Sequence, residues 1–173
     1  MSSVLICPYS GLNTAVKRHR PSHLLSLLVE PFVPTPDAIR PDRHLRISVH
    51  DISEAIDGLV CPEHSHISEV VDFARGWDRK EPFLVHCWAG ISRSTAAAFI
   101  VLCDIHGSGH ERRIAQALRY YAPHAQPNRL MVQHADHLLQ RKGEMIAAVA
   151  AMPPAVPAIE GELVRLPLDL EGL

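Results

Sequence analysis

No stretch of the sequence approaches the roughly 20 consecutive apolar residues that a membrane-spanning helix needs. The N-terminal Met1 to Pro8 has neither the basic region nor the long apolar core of a secretory signal. Both absences point to a cytoplasmic protein with no membrane partner. Cysteine is sparse: Cys7, Cys61, Cys87 and Cys103 contain no CxxC pair, which argues against a disulfide framework or a thiolate zinc site and leaves free thiols. An excess of one charge is also missing. With a formal charge of -2 and 21% charged residues, neither a nucleic-acid-binding surface nor a disordered chain is indicated. Internal repeats are absent as well.

What is present is 173 residues, 47% of them apolar, enough to bury a core within one domain. Val4 to Cys7, ended by Pro8 and Gly11, Leu24 to Val29, bounded by Pro21 and Pro31, and Phe83 to Val85, preceded by Pro82, read as short apolar strands. Leu45 to Val49 alternates as a half-exposed strand would and delivers His50 and Asp51 at its end. Helical spacing marks Leu12 to Arg20, Ile67 to Trp77 with Ser65 or His66 as cap, Arg93 to His106, Glu111 to Tyr121, and one long helix from Asn128 to Met152. The expected fold class is α/β: a single domain over residues 1–152, a central, mostly parallel sheet flanked by helices. A proline-rich tail, 153–173, either lies loosely on that domain or adds an edge strand.

The chemistry concentrates where Phe83 to Val85 runs through His86 and a tight loop into the helix at Arg93. A strand entering a helix through such a loop aims several backbone N–H groups at one point, and the helix N-terminus adds partial positive charge there. The loop Trp88, Ala89, Gly90, Ile91, Ser92 and Arg93 is therefore a candidate phosphate cradle. The donors that hold an anion also stabilise a thiolate, which makes Cys87 the candidate nucleophile. Arg93 presents a planar fork to two phosphate oxygens. Gly90 lets the backbone turn where a side chain would obstruct the anion. Ser94 is placed to donate its hydroxyl to the departing sulfur, and His86 to orient the loop.

His86-Cys87-x5-Arg93-Ser94 resembles the signature of the protein tyrosine phosphatase superfamily, and this version resembles its small dual-specificity branch. The likeness extends over roughly 45–139. It implies a phosphatase acting through a phosphocysteine intermediate on a phosphorylated protein or small phosphomonoester, without metal or other cofactor. It also implies a general acid on an upstream loop, because an unprotonated leaving oxygen departs slowly. Asp51 fits that acid in order and position, with Asp57 as the alternative. Asn128, after Pro127, resembles the asparagine that begins a late helix and braces the phosphate loop in such enzymes; it is also simply a good helix cap.

Blander readings compete at several positions. His134 and His137 share a helical face beside Asp136, but two ligands on one helix do not make a metal site, and no metal is expected. Cys103 reads as core. Cys7 or Cys61 approaching Cys87 would permit a protective disulfide. Trp88 and Ile91 stand where relatives acting on polyphosphoinositides carry lysines, which favours a phosphorylated side chain; Trp88 alternatively packs as core. Arg43, Arg46 and Lys80 are the basic residues available for a charged metabolite. A phosphate-binding protein without turnover is the competing function, a rhodanese-like fold the competing architecture, and the oligomeric state is not legible.

Overall fold

Four apolar segments become the parallel part of one sheet in the computed structural model, which describes residues 2–169. They are β1 (Ser3–Pro8), β2 (His23–Leu27), β3 (His44–Ile47) and β4 (Phe83–Cys87). A fifth strand, β5 (Val164–Pro167), pairs antiparallel with β1, so the sheet order is β3-β2-β4-β1-β5. Six helices connect them: α1 (Leu12–His19), α2 (His64–Arg75), α3 (Arg93–His106), α4 (Glu111–Tyr121), α5 (Arg129–Leu138) and α6 (Glu144–Ala150).

The period of two along each strand divides the core. Val4 and Ile6 of β1 with Phe83, Val85 and Cys87 of β4 face one cluster, against α2 to α6; Leu5, Cys7, Leu24 and Leu84 face a smaller one against α1. Helix α3 crosses the larger cluster and is buried from Arg93 to Cys103, as expected of a helix apolar on every side. Its three consecutive alanines, Ala96 to Ala98, are fully enclosed. Truncating Phe83 or Phe99, both without solvent contact, would cost about 3–5 kcal/mol.

Several boundaries differ from the sequence reading. β2 ends at Leu27 and β3 at Ile47, short of Val29 and Val49. Helix α2 starts at His64 and is capped by Glu63, not by Ser65 or His66; His66 serves instead as the reciprocal partner, its Nδ1 accepting from Glu63 N–H at 3.1 Å. The long helix expected from Asn128 to Met152 is two helices. Its apolar periodicity continues, but Gln140, Lys142 and Gly143 all adopt positive φ, and Asp136 accepts from the amides of Gly143 (2.7 Å) and Met145 (2.9 Å), capping α6. Buried Arg141 secures the joint through Glu111 Oε1 at 3.1 Å and the Cys103 carbonyl at 2.9 Å. The proline-rich tail supplies β5 and thereby covers the edge of β1.

Candidate active site

The loop between Cys87 and Arg93 sits at the carboxyl ends of β1 and β4, and its carbonyls are tied outward. Trp88 O accepts from Tyr9 N–H (3.0 Å), Ala89 O from Gly161 N–H (2.7 Å), and Ile91 O from Gln126 N–H (2.9 Å). Ser92 O accepts from Asn128 N–H at 3.3 Å and Ala96 N–H at 2.9 Å. Thr95 Oγ1 donates to the Ile91 and Ser92 carbonyls at 2.5 and 2.9 Å, a shared bond. With the carbonyls held from behind, the amides of Ala89 to Ser92 donate to no protein group among the described residues, and a concave set of free donors remains.

Gly90 makes this turn possible. Its φ is +71, and a Cβ there would stand 2.8 Å from Pro8 N, so both conformation and space require glycine. Cys87 Sγ lies 3.1 Å from Ser94 Oγ at the base of the loop. Arg93 is buried, 8% exposed, and one guanidinium nitrogen donates to Val49 O at 2.8 Å. Its Nε is enclosed without an acceptor, and no carboxylate pairs with Arg93 among the described residues. A buried cation beside free amides is costly until an anion completes it.

Asp51 reaches the same place from the loop after β3. Its Oδ1 accepts from Ser92 Oγ at 2.6 Å and from Asn128 Nδ2 at 2.9 Å, and Asn128 Nδ2 also lies 3.2 Å from Ile52 O. Asn128 Oδ1 meanwhile accepts from Met131 N–H at 3.0 Å, capping α5. Asn128 thus caps α5 and at the same time holds Asp51 and the Ser92 carbonyl. Behind the loop, buried His86 places Nε2 2.7 Å from Ser26 Oγ. Burial pushes its pKa down to about 4, assisted by the Arg93 charge and opposed by the Cys87 backbone.

Cys87, Arg93, Asp51, Ser92 and Asn128 line one open cleft of about 1340 Å³. Trp88 stands at its rim, 57% exposed and stacked on Tyr9 with ring centroids 5.9 Å apart, so it is not core. Asp57 is exposed and outside the lining. Arg43, Arg46 and Lys80 also lie outside it; the basic residues of the cleft beyond Arg93 are Arg119 and Arg129. Cys7 faces the α1 side of the sheet and Cys87 the other side, so a disulfide between them would require a strand to turn over. Burial, with the neighbouring Cys87, pushes the Cys7 thiol up to about 12. Cys61 is half-buried and outside the cleft lining. His134 Nε2 lies 3.2 Å from the Pro62 carbonyl, and the His137 ring packs on His64.

The tail's part in the site was not legible in the sequence. Gly161 lies against His124 and the Gly90 carbonyl, where a Cβ would come within 2.5 Å of His124 Nε2 and 2.9 Å of Gly90 O. Ser10 Oγ donates to Glu160 Oε1, and Val156 N–H to Pro123 O at 2.9 Å. A glycine inside a proline-rich stretch was the one available signal.

This chain has the fold of the small dual-specificity phosphatases. Its structure matches the crystal structure of DUSP15 at a TM-score of 0.61, with 22% identity over 88% of this chain and 97% of that one. The Yvh1 phosphatase domain from Chaetomium thermophilum matches at 0.57, with 22% identity over 82% and 93%. PTPMT1, in a crystal structure with PI(5)P, matches at 0.60, with 17% identity over 84% and 93%. No protein-family model matches the sequence, nor does any curated protein. Among the described residues, no helix is long and apolar enough to cross a membrane.

Proposed function

We propose that the protein is a cysteine-dependent phosphomonoesterase acting on phosphorylated protein side chains. The observation that carries this reading is the buried Arg93, whose Nε has no acceptor, beside free loop amides and Cys87. A phosphoryl group satisfies all of them at once.

In the first step Cys87 Sγ attacks phosphorus, the S–P bond forms, the P–O ester bond breaks, and Asp51 gives its proton to the leaving oxygen. The amides of Ala89 to Ser92 and the Arg93 guanidinium hold the phosphoryl oxygens throughout. In the second step the Asp51 carboxylate takes a proton from water as its oxygen attacks phosphorus. The S–P bond then breaks, phosphate leaves, and Ser94 Oγ, 3.1 Å away, donates to the released thiolate. No metal enters either step.

The exposed Trp88–Tyr9 stack at the rim offers an aromatic face to an aryl phosphate, which supports phosphotyrosine. Arg119 and Arg129 in the same cleft favour a second reading, a phosphorylated small molecule or lipid headgroup. The comparison with PTPMT1 in complex with PI(5)P points the same way.

The test is hydrolysis of p-nitrophenyl phosphate in EDTA by the wild type and Cys87→Ser, followed by phosphotyrosyl, phosphoseryl and phosphothreonyl peptides and PI(5)P. Vanadate-sensitive turnover, lost in the variant and fastest on the phosphotyrosyl peptide, is expected. Absence of turnover in folded wild type would leave phosphate capture as the function; faster turnover of PI(5)P would establish the second reading.

A further inference from the structure

Val49, His50 and Asp51 follow β3, and each is tied to a different partner. The Val49 carbonyl accepts from the Arg93 guanidinium at 2.8 Å, and Asp51 Oδ1 accepts from Ser92 and Asn128. Between them, His50 bonds to Val60 twice. Its N–H donates to the Val60 carbonyl at 2.8 Å, and Val60 N–H donates to His50 Nδ1, also at 2.8 Å. The two bonds close residues 50–60 into a loop whose ends meet, as in an Ω-loop. Every residue from Ser53 to Val60 is exposed, Ile56 and Leu59 included, so side-chain packing contributes little to the loop's shape. Leu59 N–H donates to the Ile56 carbonyl at 3.0 Å, a turn over Asp57 and Gly58 that shapes the far end without joining it to the domain.

A backbone amide only donates, so the ring nitrogen that faces Val60 N–H at 2.8 Å presents its lone pair. His50 in the closed loop is therefore the imidazole with Nδ1 bare. One residue supplies both halves of the clasp, a backbone donor and a side-chain acceptor carried on Cγ. Asparagine carries an uncharged acceptor on the same carbon; alanine carries none. Asp51 is the first residue inside the neck. Ser92 and Asn128 hold its Oδ1, and Asn128 also reaches the Ile52 carbonyl, but the direction in which the backbone enters the loop is set at His50. Segments with few buried contacts open most readily. Without the Nδ1 bond the neck would open, and Asp51 would sample orientations in which Oδ2 no longer meets a leaving oxygen.

We propose that His50 is a positioning residue for the proton donor: through its amide and Nδ1 it clasps Val60, closes the loop over 50–60 and holds Asp51 toward the cleft. His50 itself lies outside the cleft lining. The role rests on the reading of Asp51 as general acid given above.

Wild type, His50→Ala and His50→Asn, each as the full chain, are compared in amide hydrogen exchange and in turnover. Val60 is exposed, so protection of its amide depends on the bond to Nδ1. Its exchange should quicken about 10-fold in His50→Ala and stay near the wild-type rate in His50→Asn, where Oδ1 replaces Nδ1. On an alkyl phosphate, His50→Ala should lower kcat roughly 5- to 10-fold with KM nearly unchanged. On p-nitrophenyl phosphate, whose leaving group needs little help from an acid, the fall should be less than about 2-fold. His50→Asn should recover the alkyl phosphate rate. Equal Val60 exchange in wild type and His50→Ala would overturn the clasp. Equal slowing of both phosphates in folded His50→Ala, slowing of neither, or a His50→Asn protein as slow as His50→Ala would overturn the positioning role. An inactive wild type, or good and poor leaving groups slowed alike by Asp51→Ala, would defeat the acid reading itself. With that reading intact, the other outcomes count against His50 alone.

Discussion

Ser92 Oγ donates a 2.6 Å hydrogen bond to Asp51 Oδ1, tying the candidate acid to the loop between Cys87 and Arg93. Asn128 Nδ2 donates to the same oxygen at 2.9 Å. With Oδ1 occupied twice, Oδ2 is the oxygen left to carry the proton toward a leaving group. In the proposed mechanism Ser92 would contribute its amide to the phosphoryl group and its hydroxyl to the acid.

Asp51→Ala should slow hydrolysis of alkyl phosphates about 100-fold or more, while p-nitrophenyl phosphate, with its good leaving group, slows far less. Ser92→Ala should shift the leaving-group dependence in the same direction by roughly 5- to 10-fold. Added to Asp51→Ala it should do nothing further. Rates across a series of leaving groups test this; equal slowing of good and poor leaving groups in Asp51→Ala would transfer the acid role to Asp57 or to no residue.

The tail should behave as part of the site. Gly161→Val would drive a side chain into His124 and the Gly90 carbonyl, displacing the loop from behind. The expected result is a roughly 10- to 100-fold fall in kcat/KM with cooperative thermal unfolding retained. Truncation after Met152 removes β5, exposes the β1 edge and should lower Tm and promote association. Full activity and unchanged Tm in both variants would show that the tail only rests on the surface.

Stability should fall as the solution is acidified from pH 6.5 toward 4. His44 and His86 are held neutral by burial, with folded values of about 4 against 6.5 for the free side chain. The unfolded chain therefore binds protons in this window that the folded chain refuses. This favours unfolding by up to about 3 kcal/mol for His86, and by less for His44, which lies nearer the surface and is better screened by solvent. Above pH 6.5 neither state binds the proton and the effect vanishes. Urea midpoints at pH 7 and pH 4.5 measure it, and an equal or higher midpoint at pH 4.5 would contradict the burial of both rings.

The site was legible where its parts are contiguous. Strand, loop and helix from Phe83 to His106 follow one another along the chain, so the order of residues alone places Cys87, Gly90, Arg93 and Ser94 together. The placing of Asp51 on a loop was legible because it follows a strand. What escaped was built by distant pairings. Ser26 meets His86 only through the β2–β4 register, and Gly161 meets Ala89 only after β5 has paired with β1. The division of the last long helix escaped for another reason: its apolar period runs on through Leu138 and Leu139 into Met145, while the break depends on Asp136 capping the second half. Periodicity reports which face is buried, not where the backbone stops.

The most direct measurement is chemical trapping of the intermediate. The protein is mixed with a rapidly hydrolysed aryl phosphate, quenched within the first turnover, digested, and examined by mass spectrometry for a phosphoryl group on cysteine. A phosphoryl adduct on the Cys87 peptide, absent from Cys87→Ser and accumulating in a variant that lacks the Asp51 carboxylate, is the predicted result. Vigorous turnover with no adduct on Cys87 in any variant would contradict the phosphocysteine mechanism.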